Sequence, residues 1–156
     1  MKQIGIKRLN TSCVTEFKEL VQLFHLVFET TDGKIADDAY LEKLLNNPAF
    51  ICIVAIIDDK IAGGVTAYEM PSYYGNYSEA YLYDIAISNE YQRNGIGNIL
   101  LESLKSYCSE HNIKTFFVEA SAEDVSAVKF YHATKGNAEK VIHFNYHLQV
   151  PLAAKK

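Results

Sequence analysis

A short turn with two glycines two residues apart is the part of this chain whose residue types best suit ligand binding. It reads Gln92-Arg93-Asn94-Gly95-Ile96-Gly97, and a helical pattern follows it. Backbone N–H groups can approach a ligand closely at glycine, and a helix N-terminus carries about half a positive charge, so a pyrophosphate is the natural guest. The turn lacks the third glycine of a dinucleotide-binding fingerprint and the Gly-Lys-Ser/Thr of a Walker loop. The alternative interpretation is a strand-to-helix turn that requires glycine for its backbone alone.

The elements that must position this turn follow from the spacing of the apolar residues. We predict, in chain order, a strand at 4–9, helices at 12–28 and 37–45, strands at 50–57, 61–70 and 79–88, a helix from 97 to 111, a strand at 114–120, a helix at 126–134 and a last strand at 141–148. The predicted order is therefore βααβββαβαβ. The first helix should bury the stripe Val14, Phe17, Val21, Phe24 and Phe28, after a cap at Thr11 or Ser12.

The composition is that of one globular domain. The 156 residues are 49% hydrophobic and 22% charged, with a net charge of −4 and no long basic block. We therefore expect no nucleic-acid partner and no membrane partner. Three cysteines and five histidines show no metal-ligand spacing, which predicts neither a zinc site nor a disulfide framework. We expect a single domain over 1–150, a C-terminal tail at 151–156 and a cytoplasmic location.

The glycine turn resembles the Gln/Arg-x-x-Gly-x-Gly/Ala acetyl-CoA motif of the Gcn5-related N-acetyltransferase (GNAT) family. In that family the motif follows the fourth strand and begins a long helix, as predicted here. A second segment, Ala127-x-x-Phe130-Tyr131 followed by Lys135-Gly136, is similar to the family's Ala-x-x-Phe-Tyr-x-x-x-Gly segment. The resemblance implies the GNAT fold, an α/β (α+β) domain with a central mixed, mostly antiparallel sheet flanked by helices.

From about residue 9 to 144 the chain resembles one branch of this family, the type I aminoglycoside 3-N-acetyltransferases. The resemblance lies in Tyr40-Leu41, Phe50-Ile51, Ala67-Tyr68, Pro71, Tyr81-Leu82-Tyr83-Asp84-Ile85-Ala86-Ile87 and His143-Phe144, while the loop Ser121–Ser126 departs from the branch. It implies an enzyme that transfers an acetyl group from the cosubstrate acetyl-CoA, without a metal, to a primary amine of a small cationic acceptor such as an aminoglycoside.

The resemblance also implies which residues bind acetyl-CoA. Backbone N–H groups from Arg93 to Gly97 should hold the pyrophosphate. Main-chain groups of Ile85 to Ile87 should hold the pantetheine and the thioester carbonyl, where the strand splays from its neighbour. The expected cofactor contacts are Ile85, Ala86, Ile87, Gln92, Arg93, Asn94, Gly95, Ile96, Gly97 and Asp124.

Tyr131 is the expected general acid, because the family places a tyrosine here beside the cofactor sulfur and a phenol can protonate a departing thiolate. The alternative is a helix aromatic in the core. Four carboxylates compete to accept the amine proton: Asp84, Glu119, Glu123 and Asp124. Strand alternation puts Asp84 on the face opposite Tyr81 and Tyr83 unless a bulge intervenes. For Asp124, and for Ser126, capping of the following helix is an equal alternative.

Tyrosines are the expected substrate-binding residues. The loop 73–77 could cover a cationic acceptor with phenol faces and hydroxyls, and we assign Tyr74, Tyr81 and Tyr83 to acceptor binding. The alternatives for function are a polyamine acetyltransferase, an acetyltransferase for a protein or peptide amine, and a non-catalytic acyl-CoA-binding regulator. A small-molecule amine is the expected partner, and a homodimer stays open beside a monomer.

Overall fold

The computed structural model of the protein describes residues 3–149. These residues form five strands and four α-helices, with one short 3₁₀ turn at Asn89–Tyr91. The elements are β1 (Gly5–Arg8), α1 (Val14–Val27), α2 (Asp38–Leu45), β2 (Phe50–Ile57), β3 (Lys60–Pro71), β4 (Ser78–Ile87), α3 (Ile96–Glu110), β5 (Ile113–Phe117) and α4 (Val125–Ala133). The chain divides into two compact units, residues 1–119 and 120–156.

The first unit contains one sheet whose strands lie in chain order, β1-β2-β3-β4-β5. Neighbouring strands are antiparallel except for β4 and β5, which are parallel. The tight turn between β2 and β3 uses Asp58 and Asp59, whose φ angles are 50° and 60°. Two successive positive φ angles match the right-handed twist of a hairpin. The predicted mixed, mostly antiparallel sheet and its central hairpin are thus confirmed.

Helices cover both faces of this sheet. On one face Phe17, Leu20 and Phe24 of α1 join Phe50, Cys52 and Val54 of β2 in one core cluster. The alternate β2 residues, Ile51, Ile53 and Ala55, are also buried, and α3 supplies Leu100 and Leu104 to the core. Of the predicted α1 stripe, Phe28 is 45% exposed because it lies beyond the last helical residue. The predicted cap at Thr11 or Ser12 is wrong, because the N-cap of α1 is Cys13 and no side chain caps this helix. Before the helix, Asn10 Oδ1 accepts a hydrogen bond from the Ser12 N–H at 2.9 Å.

One residue of β4 has no opposite partner in the β3–β4 ladder. Thr66 lies opposite Asp84 and the next residue, Ala67, lies opposite Leu82, so Tyr83 is an extra residue that forms a β-bulge. Residues directly opposite each other on paired strands share a face of the sheet. A bulge reverses the alternation beyond it, and Asp84 therefore shares the face of Tyr81, which lies opposite Tyr68.

The second unit is built around α4, which is fixed at both ends. Its N-cap is Asp124, whose Oδ1 accepts a hydrogen bond from the Ala127 N–H at 2.9 Å. At its C-terminal end Lys135 has a φ of 67°, and the Gly136 N–H donates to the Tyr131 carbonyl at 2.8 Å. This is a Schellman termination. A Cβ on Gly136 would lie 3.0 Å from that carbonyl oxygen, which accounts for the glycine.

The predicted last strand at 141–148 is wrong, because residues 136–149 form neither helix nor strand. A strand requires a neighbour for its backbone hydrogen bonds, and no ladder includes this segment in the described part of the chain. Its alternating apolar residues are exposed, namely Val141, Ile142, Phe144, Tyr146 and Leu148. The alternation predicted a strand but supplied no partner. The predicted tail at 151–156 lies outside the described residues.

The close approach of α1 to the sheet at Gly64 gives a test of the packing. A Cβ on Gly64 would lie 2.5 Å from Leu20 Cδ1 and 3.1 Å from the Ile53 carbonyl oxygen. We expect Gly64→Ala to lower the free energy of unfolding by about 1–3 kcal/mol through overpacking. Leu20→Ala should cost about 2–5 kcal/mol alone. The double variant should lose less than the sum, because removing the Leu20 methyl groups relieves the clash.

Chemical denaturation of the four proteins measures this coupling. The control is Gly5→Ala, where the new Cβ would be no closer than 3.8 Å to another atom, so its effect should stay within about 0.5 kcal/mol. Strict additivity of the Gly64 and Leu20 substitutions would contradict the packing described.

Candidate active site

The glycine turn forms an open helix N-terminus. Gly95 is the N-cap of α3 with a φ of 80°, and Arg93 just before it has a φ of 65°. No side chain caps this helix end. Since the first-turn N–H groups of any helix lack intrahelical acceptors, those of α3 are available to an anionic ligand. Both the glycine turn and the start of α3 lie where the sequence predicted them.

Side-chain amides tie this turn to the end of β4. Gln92 Nε2 donates to the Ile87 carbonyl at 3.1 Å and to Asn89 Oδ1 at 2.9 Å. Asn94 Nδ2 donates to the Tyr91 carbonyl at 3.2 Å. The two side-chain amides therefore hold the turn in shape, while the cofactor contacts expected at Gln92 and Asn94 stay a prediction. Arg93 is exposed in the same turn.

The strand before the turn has one free edge. The parallel ladder between β4 and β5 runs from Ser78, opposite Ile113, to Tyr81, opposite Phe117, and ends there. Ile85, Ala86 and Ile87 pair only with β3 in the described ladders. The β4 backbone beyond Tyr81 thus has open hydrogen-bonding groups on its β5 side. The family resemblance predicts that this part of β4, where β5 no longer pairs with it, holds the pantetheine and the thioester carbonyl.

Where that free edge begins, tyrosines and carboxylates cluster on one face of the sheet. The Tyr83 ring is perpendicular to both neighbours, at 5.9 Å and 86° from Tyr81 and at 5.7 Å and 80° from Tyr68 (centroid separations and interplanar angles). The Tyr81 hydroxyl donates to Glu119 Oε2 at 3.3 Å. Asp84 shares this face because of the bulge. The cluster therefore combines three phenol rings with two carboxylates.

Burial shapes the electrostatics of this cluster. It raises the pKa of the Asp84 carboxyl above its ordinary value, because a charged carboxylate loses solvation there. Burial also raises the pKa of Tyr81, to which the charge of Glu119 adds, and the pKa of Tyr68, to which Tyr83 adds. The phenols of Tyr81 and Tyr68 consequently stay neutral near neutral pH. A carboxylate with a raised pKa is a better proton acceptor than an exposed one.

Two residues of this site were not predicted from the sequence. Tyr68 reaches the cluster because it lies opposite Tyr81, a register that only the folded hairpin defines. Tyr40 of α2 is near enough to Tyr68 to raise its pKa electrostatically. The loop residue Tyr74, which was assigned to acceptor binding, is 83% exposed and packs on Tyr73 with ring centroids 4.5 Å apart. The Tyr74 ring therefore packs within its own loop, on Tyr73, and not in the tyrosine cluster of β3 and β4.

The remaining predicted residues lie in the second unit. Asp124 caps α4, so the capping alternative is the arrangement observed. Glu123 is exposed, and its N–H donates to Ser121 Oγ at 3.3 Å. Tyr131 is half-buried on α4 and its ring lies 5.2 Å from that of Phe130. The Schellman termination at Gly136 fixes the backbone that carries Tyr131.

The part of the chain that the structure describes brings no three His, Cys, Asp or Glu side chains together in a way that could hold a metal ion. Within the same residues, no helix has the length and apolar character needed to span a membrane.

The chain belongs to the acetyltransferase (GNAT) family, whose model matches residues 17–136. The fold is thus that of the family expected from the sequence. Members of this family use acetyl-CoA. The family match and the acetyltransferase relatives described next support an N-acetyltransferase, which confirms the class of enzyme predicted.

Solved structures with high similarity are aminoglycoside acetyltransferases. One, from an uncultured soil metagenomic sample and in complex with sisomicin, is 37% identical with a TM-score of 0.91, covering 94% of this chain and 97% of that chain. A second soil metagenomic enzyme is 29% identical with a TM-score of 0.89, over 94% and 99%. Neither distinguishes a 3-N from a 6′-N branch for this chain.

A curated relative of another kind is the [ribosomal protein bS18]-alanine N-acetyltransferase of Escherichia coli K12. It is 35% identical over 69 residues, which are 44% of this chain and 46% of that protein. The chain spans about half the length of the curated relatives it matches. These relatives support the acetyltransferase class and leave the acceptor open between small molecules and protein amines.

The partly buried carboxyl of Asp84 gives a prediction in which thermal stability and enzyme activity change in opposite directions. Asp84→Asn should raise the melting temperature near pH 8, because it removes a partly desolvated charge. A folded-state pKa above the unfolded one destabilises the ionised protein, so the gain should shrink as the pH falls through the folded pKa and vanish near pH 3–4. The same substitution should lower kcat about 10²- to 10⁴-fold if Asp84 is the base.

Thermal melts of both proteins across that pH range check the first part, and initial rates check the second. The control is Glu79→Gln, an exposed carboxylate on the same strand, which should change neither quantity. A lower melting temperature for Asp84→Asn at every pH would mean that the carboxylate has a stabilising partner instead.

Proposed function

We propose that this chain transfers the acetyl group of acetyl-CoA to a primary amine of an aminoglycoside-like acceptor, and that the acceptor nitrogen is the 3-N amine. One observation supports this most strongly. The bulge at Tyr83 brings the carboxyl of Asp84 onto the tyrosine face of β4, directly before the unpaired Ile85–Ile87 edge. A proton acceptor and an acetyl-donor groove are then consecutive on one strand.

Acetyl-CoA would be held at two places in the first unit. The pyrophosphate would lie on the N–H groups from Arg93 to Gly97, where the uncapped start of α3 favours an anion. The pantetheine amides would pair with the free edge of β4, as an added strand pairs with a sheet. The Gln92 amide fixes the spacing between these two places through its bond to the Ile87 carbonyl.

The transfer itself needs two proton movements. The neutral amine attacks the thioester carbon and loses a proton to Asp84, directly or through one water, while a backbone N–H of Ile85–Ile87 polarises the carbonyl. The C–S bond then breaks, and the departing thiolate takes a proton from the Tyr131 hydroxyl. Asp84 is preferred as base because its pKa is raised by burial, whereas Asp124 is occupied in capping α4 and Glu123 is exposed. Tyr131 is assigned on the family resemblance.

The acceptor assignment is supported by charge and by similarity. Asp84 and Glu119 give the tyrosine cluster a negative character that suits a polyamine sugar. The 37% identical neighbour, whose complex contains sisomicin, matches nearly the whole chain. Within this proposal the chain is one catalytic domain acting in the cytoplasm. A peptide amine is the second candidate, favoured by the similarity to the bS18-alanine acetyltransferase.

One assay separates these functions. Thiol release from acetyl-CoA is followed with aminoglycosides, polyamines, amino acids and peptides, and we expect kcat/KM to be highest for an aminoglycoside. NMR of the product would locate the acetyl group, with the 3-N position expected. A preference for peptides or for spermidine would replace the acceptor and keep the chemistry. Binding of acetyl-CoA without turnover of any amine would indicate the non-catalytic regulator.

Variants of the glycine turn test the proposed site of the pyrophosphate. Gly95→Asp should weaken acetyl-CoA binding about 10-fold or more, because it puts a negative charge beside the pyrophosphate. Gly95→Asn is the matched control, since both residues tolerate a left-handed φ and a Cβ there meets no atom within 4 Å. Equal acetyl-CoA affinities for the two variants, measured by calorimetry, would show that the pyrophosphate does not bind at this turn.

For the general acid we expect Tyr131→Phe to lower kcat about 10- to 1,000-fold, with acetyl-CoA affinity unchanged, because only the proton donor is lost. Tyr146→Phe is the control, an exposed tyrosine in the same unit. Pre-steady-state measurements ensure that chemistry limits the rate. Full kcat in Tyr131→Phe would return this residue to a packing role on α4.

A further inference from the structure

We propose that Tyr68, Tyr81 and Tyr83 form an aromatic cage that binds the acceptor as an ammonium cation, and that this cage therefore also takes quaternary ammonium ions. The inference rests on the proposed function, since it concerns the same acceptor site. Beyond the proposed function, it states that the amine binds in its protonated form and that quaternary ammonium ions bind without reacting.

The ring geometry is that of a corner. Tyr68 and Tyr81 lie opposite each other on β3 and β4, and the bulged Tyr83 stands at 80° to the first and 86° to the second. A cation in a corner between perpendicular rings lies within about 6 Å of both ring centroids, the range of cation–π attraction. Tyr83 is 58% exposed, so a ligand reaches the corner from solvent.

The charges around the cage favour a cation. Asp84 shares its face of the sheet, and Glu119 accepts the Tyr81 hydroxyl proton in a hydrogen bond of 3.3 Å. The cations that the structure describes over tyrosine rings lie elsewhere, with Arg8 over Tyr107 and Lys114 over Tyr77. Neither ring belongs to the cage. Tyr81 also packs on Phe117 and Tyr68 on Phe50, each with ring centroids 5.1 Å apart. The remaining phenol faces and the two carboxylates thus match an ammonium ion supplied by a ligand.

The cage and the base then act in sequence. An alkylammonium acceptor binds in the corner as R–NH₃⁺ and transfers one proton to the Asp84 carboxylate, which yields the neutral amine and a neutral carboxyl group. The carboxyl releases this proton to solvent before the amine attacks, so that Asp84 is again ionised when the attacking nitrogen loses its second proton. Burial of Asp84 favours this transfer, because it removes a desolvated charge pair. A quaternary ammonium ion carries no such proton and no nucleophilic lone pair. It should therefore occupy the cage as a competitive, unreactive ligand.

Choline and its neutral carbon isostere, 3,3-dimethylbutan-1-ol, test the cage without requiring turnover. Each is titrated into the ¹⁵N-labelled protein, and shifts of backbone amides are followed by NMR. We expect choline to shift the amides around Tyr81–Asp84, with the alcohol binding about 3- to 30-fold more weakly. Tyr83→Phe, which keeps the ring face, should retain choline binding. Tyr83→Leu should lose about the same 3- to 30-fold.

Tyr146→Leu is the matched control, a tyrosine that is 85% exposed and has no part in the cage, and it should bind choline as the parent does. Equal affinity for choline and the alcohol, or unchanged binding in Tyr83→Leu, would overturn the cage. If the cage failed while amine acetylation persisted, the proposed function would stand. Choline binding without acetylation of any amine would retain the cage and overturn the proposed function.

Discussion

A single extra residue in β4 determines how the rest of this site is arranged. Tyr83 has no partner on β3, so the alternation of side chains is reversed between Leu82 and Asp84. Without the bulge, Asp84 would lie on the same face of β4 as the buried Leu82. With it, the carboxyl joins the tyrosines at a partly solvated surface. A one-residue register change thus decides which face of β4 carries the Asp84 carboxyl.

The same strand connects this surface to the anion site. β4 pairs with β5 only as far as Tyr81, and its remaining residues keep one free edge up to Ile87. The Gln92 side chain then bonds the Ile87 carbonyl and sets the turn that begins α3. Asp84, the free edge at Ile85–Ile87 and the glycine turn at 92–97 therefore follow one another along the chain. Gly64 lets α1 pack closely on this strand pair, on the face of the sheet that also carries Tyr68 and Asp84.

Local patterns were sufficient for much of this arrangement. The glycine turn, the β2–β3 hairpin and the capped helices α2 and α4 depend on residues near one another in sequence, and Asp37 and Asp124 cap as their types predict. The sequence could not decide between regular alternation and a bulge at β4, because alternation alone gives no register between strands. Tyr68 and Tyr40 were missed for the same reason, since their place in the site depends on long-range pairing. The segment 141–148 shows the opposite failure, where a strand-like pattern has no partner strand.

A crystal structure of the ternary complex with CoA and an aminoglycoside tests the account most directly. The quantity to measure is the distance from the acceptor nitrogen to the Asp84 carboxylate. We predict a hydrogen bond of about 2.6–3.2 Å, direct or through one water, with the pyrophosphate on the N–H groups that follow Gln92. An acceptor bound away from the Tyr83 bulge, with Asp84 reached by neither the amine nor a bridging water, would contradict it.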